Sequence, residues 1–538
     1  MKPSKPDNMP PSLLSRTLRI GHKPIGYKVA RGVVSSVLRK LVVAPISLFL
    51  IPFTLYKVGV AGYGTWAILS TIINLAWLMD PGLGPAVNKY VAESSGRGDI
   101  SEIRRVIDAG FAICLFMAAI ACCMVGFSSH VIIKELFRGP AAPPSAEILS
   151  LWPLVLLCIT TFLVSTPFLA VINGRQRMDL TNVLLFTAEL LSASMTVAFL
   201  LAGAKVRGLL LAQLLSALFI LVGSIVLTKR LLPGINPNPF RCRFSTLRKI
   251  VTFSVPLYAG YVMTTLQGQL ERLYLARMVG VIPVGWYDVA SQGAVKVKRV
   301  PDLLLGPVLA AASELDARNE QEKLEELHFR AHKYLAIVAI PLVVFAVVNA
   351  KSLVRLWVGG DLEKIAFTFA ILVIGNLFPQ MGSPIYFVTV GRGILRPSVY
   401  TALLASGLNV VLSYFFIKLW GFSGAALGTA IPMFVSTIYY FAVCRRYFQP
   451  DLFKTLRRTY VKPLLCAIAA AMTIPLIGSL RLHSWIGLLA NLIVFGAIYL
   501  AGLVLTRGID RSDLATAGKH IPFLARDATK VAPAETAA

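Results

Sequence analysis

The chain has 538 residues, 56% of them hydrophobic and only 15% charged, with a mean hydropathy of +0.71 and a formal net charge of +27. That apolarity excludes a soluble globular protein, and the short intervals between apolar runs leave no room for a sizeable soluble domain. An excess of 53 Lys and Arg over 26 Asp and Glu would suit nucleic acid or an anionic membrane surface, so the positions of the cations matter more than their sum.

Residues 1–32 open with "MKPSKPDNMPPS", basic and proline-rich, and lack the apolar core of about 7 to 15 residues that marks a signal peptide. They read as a cytoplasmic tail. A spanning helix needs roughly 20 apolar residues. Such runs predict helices at 33–57, 63–88, 106–129, 147–172, 179–203 and 208–228, an N-lobe at 33–228. A basic linker at 229–249 follows. A C-lobe at 250–444 then carries helices at 250–276, 281–312, 334–357, 365–390, 398–418 and 424–444. Residues 445–505 add a cytoplasmic loop and two spans at 463–480 and 484–505, about 14 transmembrane helices in all. The tail at 506–538 ends in "DATKVAPAETAA", too small and polar to bury a core.

Lys and Arg crowd the N-terminal tail, the even-numbered loops and the C-terminal tail, and are sparse in the odd-numbered loops. By the positive-inside rule both termini and the 229–249 linker are expected in the cytoplasm. Membrane topology therefore accounts for the cations, and nucleic acid is unnecessary. The seven cysteines are scattered, mostly within apolar runs (Cys114, Cys122, Cys123, Cys158), with no CxxC pair and no histidine cluster. They read as small buried hydrophobes, not as disulfides or metal ligands. No nucleotide-binding P-loop pattern is present, and no cofactor is expected.

An internal repeat is legible. "VGVAGYGTWA" from Val58 matches "VGVIPVGWYDVA" from Val279, with Gly59 to Gly64 spaced like Gly280 to Gly285. "DPGLGP" at Asp80 has an echo in "PDLLLGP" at Pro301, "NGR" at Asn173 one in "VGR" at Val390, and Gly208 corresponds to Gly424. Glycine pairs are common in membrane helices, but four matches in the same order predict an all-α integral membrane protein of two six-helix lobes running in one direction, with two helices appended.

"GYGTWAILSTIINLAWLMDPGLGPAVNKYVAE", "LERLYLARMVGVIPVGWYDVA" and "LWGFSGAALGTAI" resemble the Wzx-type polysaccharide flippases of the multidrug/oligosaccharidyl-lipid/polysaccharide exporter superfamily, across residues 28–505. The resemblance implies a V-shaped two-lobed bundle in the bacterial inner membrane. It would move an undecaprenyl-diphosphate-linked oligosaccharide from the cytoplasmic to the outer leaflet by alternating access. Membrane lipids and a polysaccharide polymerase or export machinery are the further partners it implies. A family Asp-Arg pair late in the seventh helix corresponds here to Glu271-Arg272, with Gly285 and Tyr287 following.

The residues themselves point to a cationic lumen. The span expected at 281–312 carries Asp288, Lys296, Lys298, Arg299 and Asp302. With a rise of 1.5 Å per residue, Lys296 to Asp302 would lie roughly 15 to 30 Å from either end, too deep to snorkel. Charges at such depth face a bundle interior or a watery cavity. Asp288, Gln292, Lys296 and Arg299 fall on one helical face, whereas Lys298 and Asp302, four apart, could instead pair with each other. Arg272, Lys296, Lys298, Arg299, Arg39 and Lys40 are the candidate substrate-binding cations, the last two near a helix end where snorkelling competes. An anionic lipid-diphosphate explains why cations are needed, and Arg grips phosphate with its planar fork. Glu189, alone in the middle of the fifth span, and Asp288 are candidate sites for H+ or Na+ coupling; the competing reading of Glu189 is that it neutralises an arginine. Asp80, before Pro81, marks a helix break.

Two other classes fit less well. A drug/cation antiporter of the related MATE type shares the two-lobed fold, but a cationic drug favours an acidic, aromatic cavity. A membrane glycosyltransferase, polymerase or ligase needs an acid/base site, and the longest outer loop, 130–146, offers only Lys134, Glu135 and Arg138 amid prolines.

Overall fold

The computed structural model describes residues 25–80, 82–234, 236–359, 363–447, 452–476 and 484–508. These residues are helical almost throughout. In chain order the helices are α1 (Ile25–Ala76), α2 (Leu83–Arg97), α3 (Ile100–Phe127), α4 (Ser129–Leu136), α5 (Ser145–Gly174), α6 (Met178–Leu201), α7 (Lys205–Leu231), α8 (Phe244–Gln267) and α9 (Leu270–Met278). They continue as α10 (Val281–Asp302), α11 (Gly306–Ala317), α12 (Gln321–Val348), α13 (Ala350–Val358), α14 (Glu363–Gly391), α15 (Arg396–Trp420), α16 (Phe422–Cys444), α17 (Leu452–Leu476) and α18 (Trp485–Leu505). Ten stretches among the described residues are long and apolar enough to cross a membrane. The chain is a multi-pass membrane protein, and in hydrocarbon an α-helix is one of the few structures that satisfies its own backbone.

Several boundaries differ from those expected, for one physical reason. Hydropathy marks only the stretch that prefers lipid, while backbone hydrogen bonding carries a helix on into charged turns. Thus α12 starts at Gln321 and α17 at Leu452, each about three turns before its apolar run. Within the 229–249 segment α7 runs to Leu231 and α8 begins at Phe244. The outer loop at 130–146 contains α4. The 281–312 span is not one helix: α10 ends at Asp302, a 3-10 turn covers Leu303–Leu305, and α11 begins at Gly306. The charges from Lys296 to Asp302 therefore lie at a helix end, and their assumed distance from both ends is corrected. Likewise the 63–88 span breaks at a 3-10 turn, Trp77–Met79, before α2 begins. Residues 1–24 and 509–538, which include most of both expected tails, lie outside the described residues.

The repeat glycines occupy matching local geometries. Gly59 has φ of 71° and interrupts α1, and Gly280, with φ of 120°, immediately precedes α10. Left-handed φ is cheap only for glycine. Gly64 packs against the Val281 carbonyl, and a Cβ on Gly285 would lie 3.1 Å from the Gly64 nitrogen, so these two repeat positions face each other across α1 and α10. Gly174 of α5 sits against Asn88 and Val91 of α2, as Gly391 of α14 sits against Ala312 and Ser313 of α11. Gly208 abuts Phe199, and Gly424 abuts Phe416.

The chain divides into two compact units that interleave in sequence. The first comprises residues 1–293 and 402–432, the second 294–401 and 433–538. In the first, a core of Leu83, Val87, Ile103, Ile107, Val171 and Ile250 joins α2, α3, α5 and α8. In the second, Leu335, Ile340, Ile385, Phe441, Ala467 and Phe495 join α12, α14, α16, α17 and α18. The last helix is fixed to α12 by Tyr499, whose hydroxyl donates to the Ile337 carbonyl at 2.9 Å.

Candidate functional site

In the first unit the short helix α9 carries Glu271 and Arg272 beside α10. Arg272 meets the Asp288 carboxylate with Nη2 at 2.6 Å and Nε at 2.9 Å, and the Tyr63 hydroxyl donates to the other Asp288 oxygen at 2.9 Å. The remaining face of the guanidinium is used as well: Nη1 donates to the Gly268 carbonyl at 2.8 Å and to Gln269 Oε1 at 3.1 Å. Glu271, 1% exposed, accepts from Asn409 Nδ2 at 2.6 Å and from the Thr429 hydroxyl at 2.8 Å. The Tyr287 hydroxyl lies 2.8 Å from that of Thr429. One buried network thus joins α1, α9, α10, α15 and α16. It brings together Arg272 and Asp288, expected to serve separately as a substrate cation and a coupling carboxylate.

Buried charge is tolerated when paired and hydrogen-bonded, and Arg272 with Asp288 meets both conditions, while the Glu271 carboxyl is hydrogen-bonded by an amide and a hydroxyl. Sequence reasoning did not name Tyr63, Asn409 and Thr429, although a lone amide or hydroxyl within an apolar helix is the available signal.

Also in the first unit, Arg39 Nε lies 3.7 Å from Glu189 Oε2, so α1 and α6 bring another expected cation and expected carboxylate together. The Lys40 side chain lies outside the described residues. Next to the helix break at Asp80 is a cavity of about 510 Å³ lined by Trp77, Asn88, Phe162, Asn173 and Tyr258. The Asp80 carboxylate accepts from the Leu83 amide at 2.8 Å, capping the first turn of α2.

The second unit holds the remaining cations at the C-terminal end of α10. Lys296 and Lys298 are half-buried and Arg299 is exposed. The pairing of Lys298 with Asp302 that helical spacing allowed is not formed. Asp302 Oδ1 instead accepts from Gln380 Nε2 of α14 at 2.9 Å, and the same amide donates to the Lys298 carbonyl at 2.8 Å. A carboxamide with two donors suits two acceptors one turn apart at a helix end. Neither Lys298 nor Arg299 forms an ion pair among the described residues.

The fold is shared with solved transporters. Lipid II flippase MurJ in an inward closed conformation is similar with a TM-score of 0.61 at 14% identity, over 87% of this chain and 99% of MurJ. The MATE multidrug transporter DinF-BH has a TM-score of 0.56 at 15% identity, over 81% and 98%. An inward-facing multidrug resistance MATE family transporter of the MOP superfamily has 0.55 at 17%, over 83% and 98%. No curated protein sequence matches. Residues 58–367, more than half of the chain, match the model of a family of polysaccharide biosynthesis proteins. With that match over more than half of its length, and with helices almost throughout its described residues, the chain belongs to the polysaccharide biosynthesis protein family.

Proposed function

We propose that the protein flips an undecaprenyl-diphosphate-linked oligosaccharide from the cytoplasmic to the outer leaflet of the bacterial inner membrane, by alternating access and with both termini cytoplasmic. The observation that carries this reading is the pair of adjacent cations Lys298 and Arg299, which form no ion pair among the described residues at the broken end of α10 while the nearby Asp302 is engaged by Gln380. A diphosphate is the anion such cations suit, and Arg299 supplies the planar two-point grip that phosphate oxygens accept. Lys296 belongs to the same basic turn. Coupling to H+ or Na+ falls to Glu189 or Asp288. Since Asp288 is bound into the α9 network, Glu189→Gln is the cleaner probe of gradient dependence.

Flipping of purified lipid-linked oligosaccharide in proteoliposomes tests the assignment, with thermal stability measured on the same preparations. Lys298→Gln, Arg299→Gln and Arg299→Lys are each expected to slow flipping about tenfold, the equivalent of about 1.4 kcal/mol, without loss of stability. Gln380→Leu frees Asp302 to draw Lys298 away, and is expected to slow flipping while costing about 1 kcal/mol of stability. Wild-type flipping by all four variants sinks the cationic site. Transport of a cationic drug in place of the anionic lipid would assign the chain to antiport instead.

A further inference from the structure

Away from these sites, the second unit contains a small basic cavity of about 190 Å³ between α12, α17 and the end of α18. Its walls include Phe329, Lys333, Arg458, Lys462, Pro463 and Arg507. Lys333 is only 9% exposed. The Arg458 guanidinium lies over the Phe329 ring, 5.4 Å from its centroid, and Lys462 Nζ donates to the Arg507 carbonyl at 3.3 Å. None of Arg458, Lys462 and Arg507 forms an ion pair among the described residues. Behind the cavity, His332 Nδ1 and the Tyr460 hydroxyl are 3.0 Å apart and fix α12 against α17.

The sequence of all three helices changes character at this cavity. In α12, "HFRAHK" gives way to "YLAIVAIP" after Lys333, and in α17 "RRTYVK" gives way to "PLLCAIAAA" after Lys462. α18 has 21 residues, close to 30 Å at 1.5 Å each, the thickness of a hydrocarbon core. It ends two residues before Arg507. The cavity therefore sits where hydrocarbon gives way to headgroups, with cations on its polar side. On the apolar side Leu464, Leu465, Ile468 and Leu505 are exposed.

We propose that this cavity binds the phosphate of an anionic phospholipid, whose acyl chains lie along those exposed side chains. Basic pockets between membrane helices recognise phosphate headgroups electrostatically, and arginine adds two-point hydrogen bonding. A free phosphate ion would use the cations but not the apolar strip.

The test is thermal unfolding of the purified full-length protein in neutral detergent micelles doped with increasing phosphatidylglycerol, phosphatidylcholine or inorganic phosphate. Phosphatidylglycerol is expected to raise Tm at the lowest concentration. Arg458→Gln, Lys462→Gln and Arg507→Gln should each raise the half-effective concentration about five-fold. A control carrying Lys229→Gln, Arg230→Gln and Arg241→Gln, cations of equal number elsewhere, should leave it unchanged. An unaltered response when all three cavity cations are neutralised overturns the proposal, and so does equal stabilisation by phosphatidylcholine or by inorganic phosphate. If the triple variant does not fold, Lys462→Gln alone decides: a shift of about five-fold supports the site and no shift overturns it.

Discussion

Arg272→Gln tests whether the α9 cation serves the fold or the substrate. The substitution removes the Nη2 and Nε contacts to Asp288, at 2.6 and 2.9 Å, and leaves that carboxylate with the Tyr63 hydroxyl. Both side chains are nearly covered, 11% and 10% exposed, so water cannot replace the lost donors. Removing one partner of a buried pair costs about 3 to 5 kcal/mol, since the other charge stays buried without compensation. Asp288→Asn is expected to cost less, about 1 to 3 kcal/mol, because Arg272 retains the Gly268 carbonyl, Gln269 and the neighbouring Glu271. In the double variant both charges are gone, and the loss should fall short of the sum of the single losses by about 1 to 3 kcal/mol. Equilibrium unfolding of the full-length chain in mixed micelles measures all four corners of this cycle, beside flipping. If Arg272→Gln stays within about 1 kcal/mol of wild type yet abolishes flipping, or if the two losses simply add, the structural assignment of this pair is wrong.

Two further outcomes are expected. Gly64→Ala drives a methyl group into the Val281 carbonyl, and overpacking of this kind costs about 1 to 3 kcal/mol, whereas Gly407→Ala, with no atom within 4 Å of its added Cβ, should be harmless in the same thermal unfolding assay. Equal effects at the two positions would dismiss the close α1–α10 approach as a stabilising contact. Asp99 caps α3, and hydrogen bonds from the Ser101 hydroxyl and the Glu102 amide hold its carboxyl below the usual range. A carboxyl depressed on folding contributes stability that is complete above its unfolded value of about 3.9 and is lost as pH falls through its folded value. Asp99→Ala should therefore cost about 1 kcal/mol at neutral pH and progressively less below about pH 3.9; the same deficit at both ends of that range would refute the charged cap.

Much of the architecture was legible because lipid imposes a simple requirement. An apolar run of sufficient length becomes a helix, and glycine marks where helices break or approach. Gly59 and Gly280, recognised from spacing alone, each carry a positive φ, the first at the kink within α1 and the second just before α10. Helix ends were less legible, since the charged first turns of α12 and α17 have no hydropathy signature. The charged residues of the site were all visible, but their partners were not. Helical spacing offered Lys298 to Asp302, whereas the structure supplies Gln380, 78 positions from Asp302. Likewise Asp288 is met by Tyr63, 225 positions away. Such pairs follow from tertiary packing, which periodicity along a single helix cannot encode.

The two repeat-related breaks show how one backbone device has been given different chemistry. Each ends a helix near an aspartate and restarts it at or next to a Gly-Pro, after Asp80 in the first case and after Asp302 in the second. At Asp80 the preceding residues are "NLAWLM", the carboxylate caps its own chain at the Leu83 amide, and the neighbouring cavity is walled by aromatic rings and amides. At Asp302 the preceding residues are "KVKRVP", the carboxylate is bound by an amide from another helix, and Lys298 and Arg299 have no carboxylate partner among the described residues. The diphosphate of the proposed substrate is an anionic centre, and the cations of the second break are the groups that suit it. The sequence difference between the repeats is thus the part of the chain most directly tied to the proposed substrate. Exchanging "KVKRVP" for "NLAWLM" at 296–301 should abolish recognition of the diphosphate while leaving the helix break, set by the residues that follow, in place.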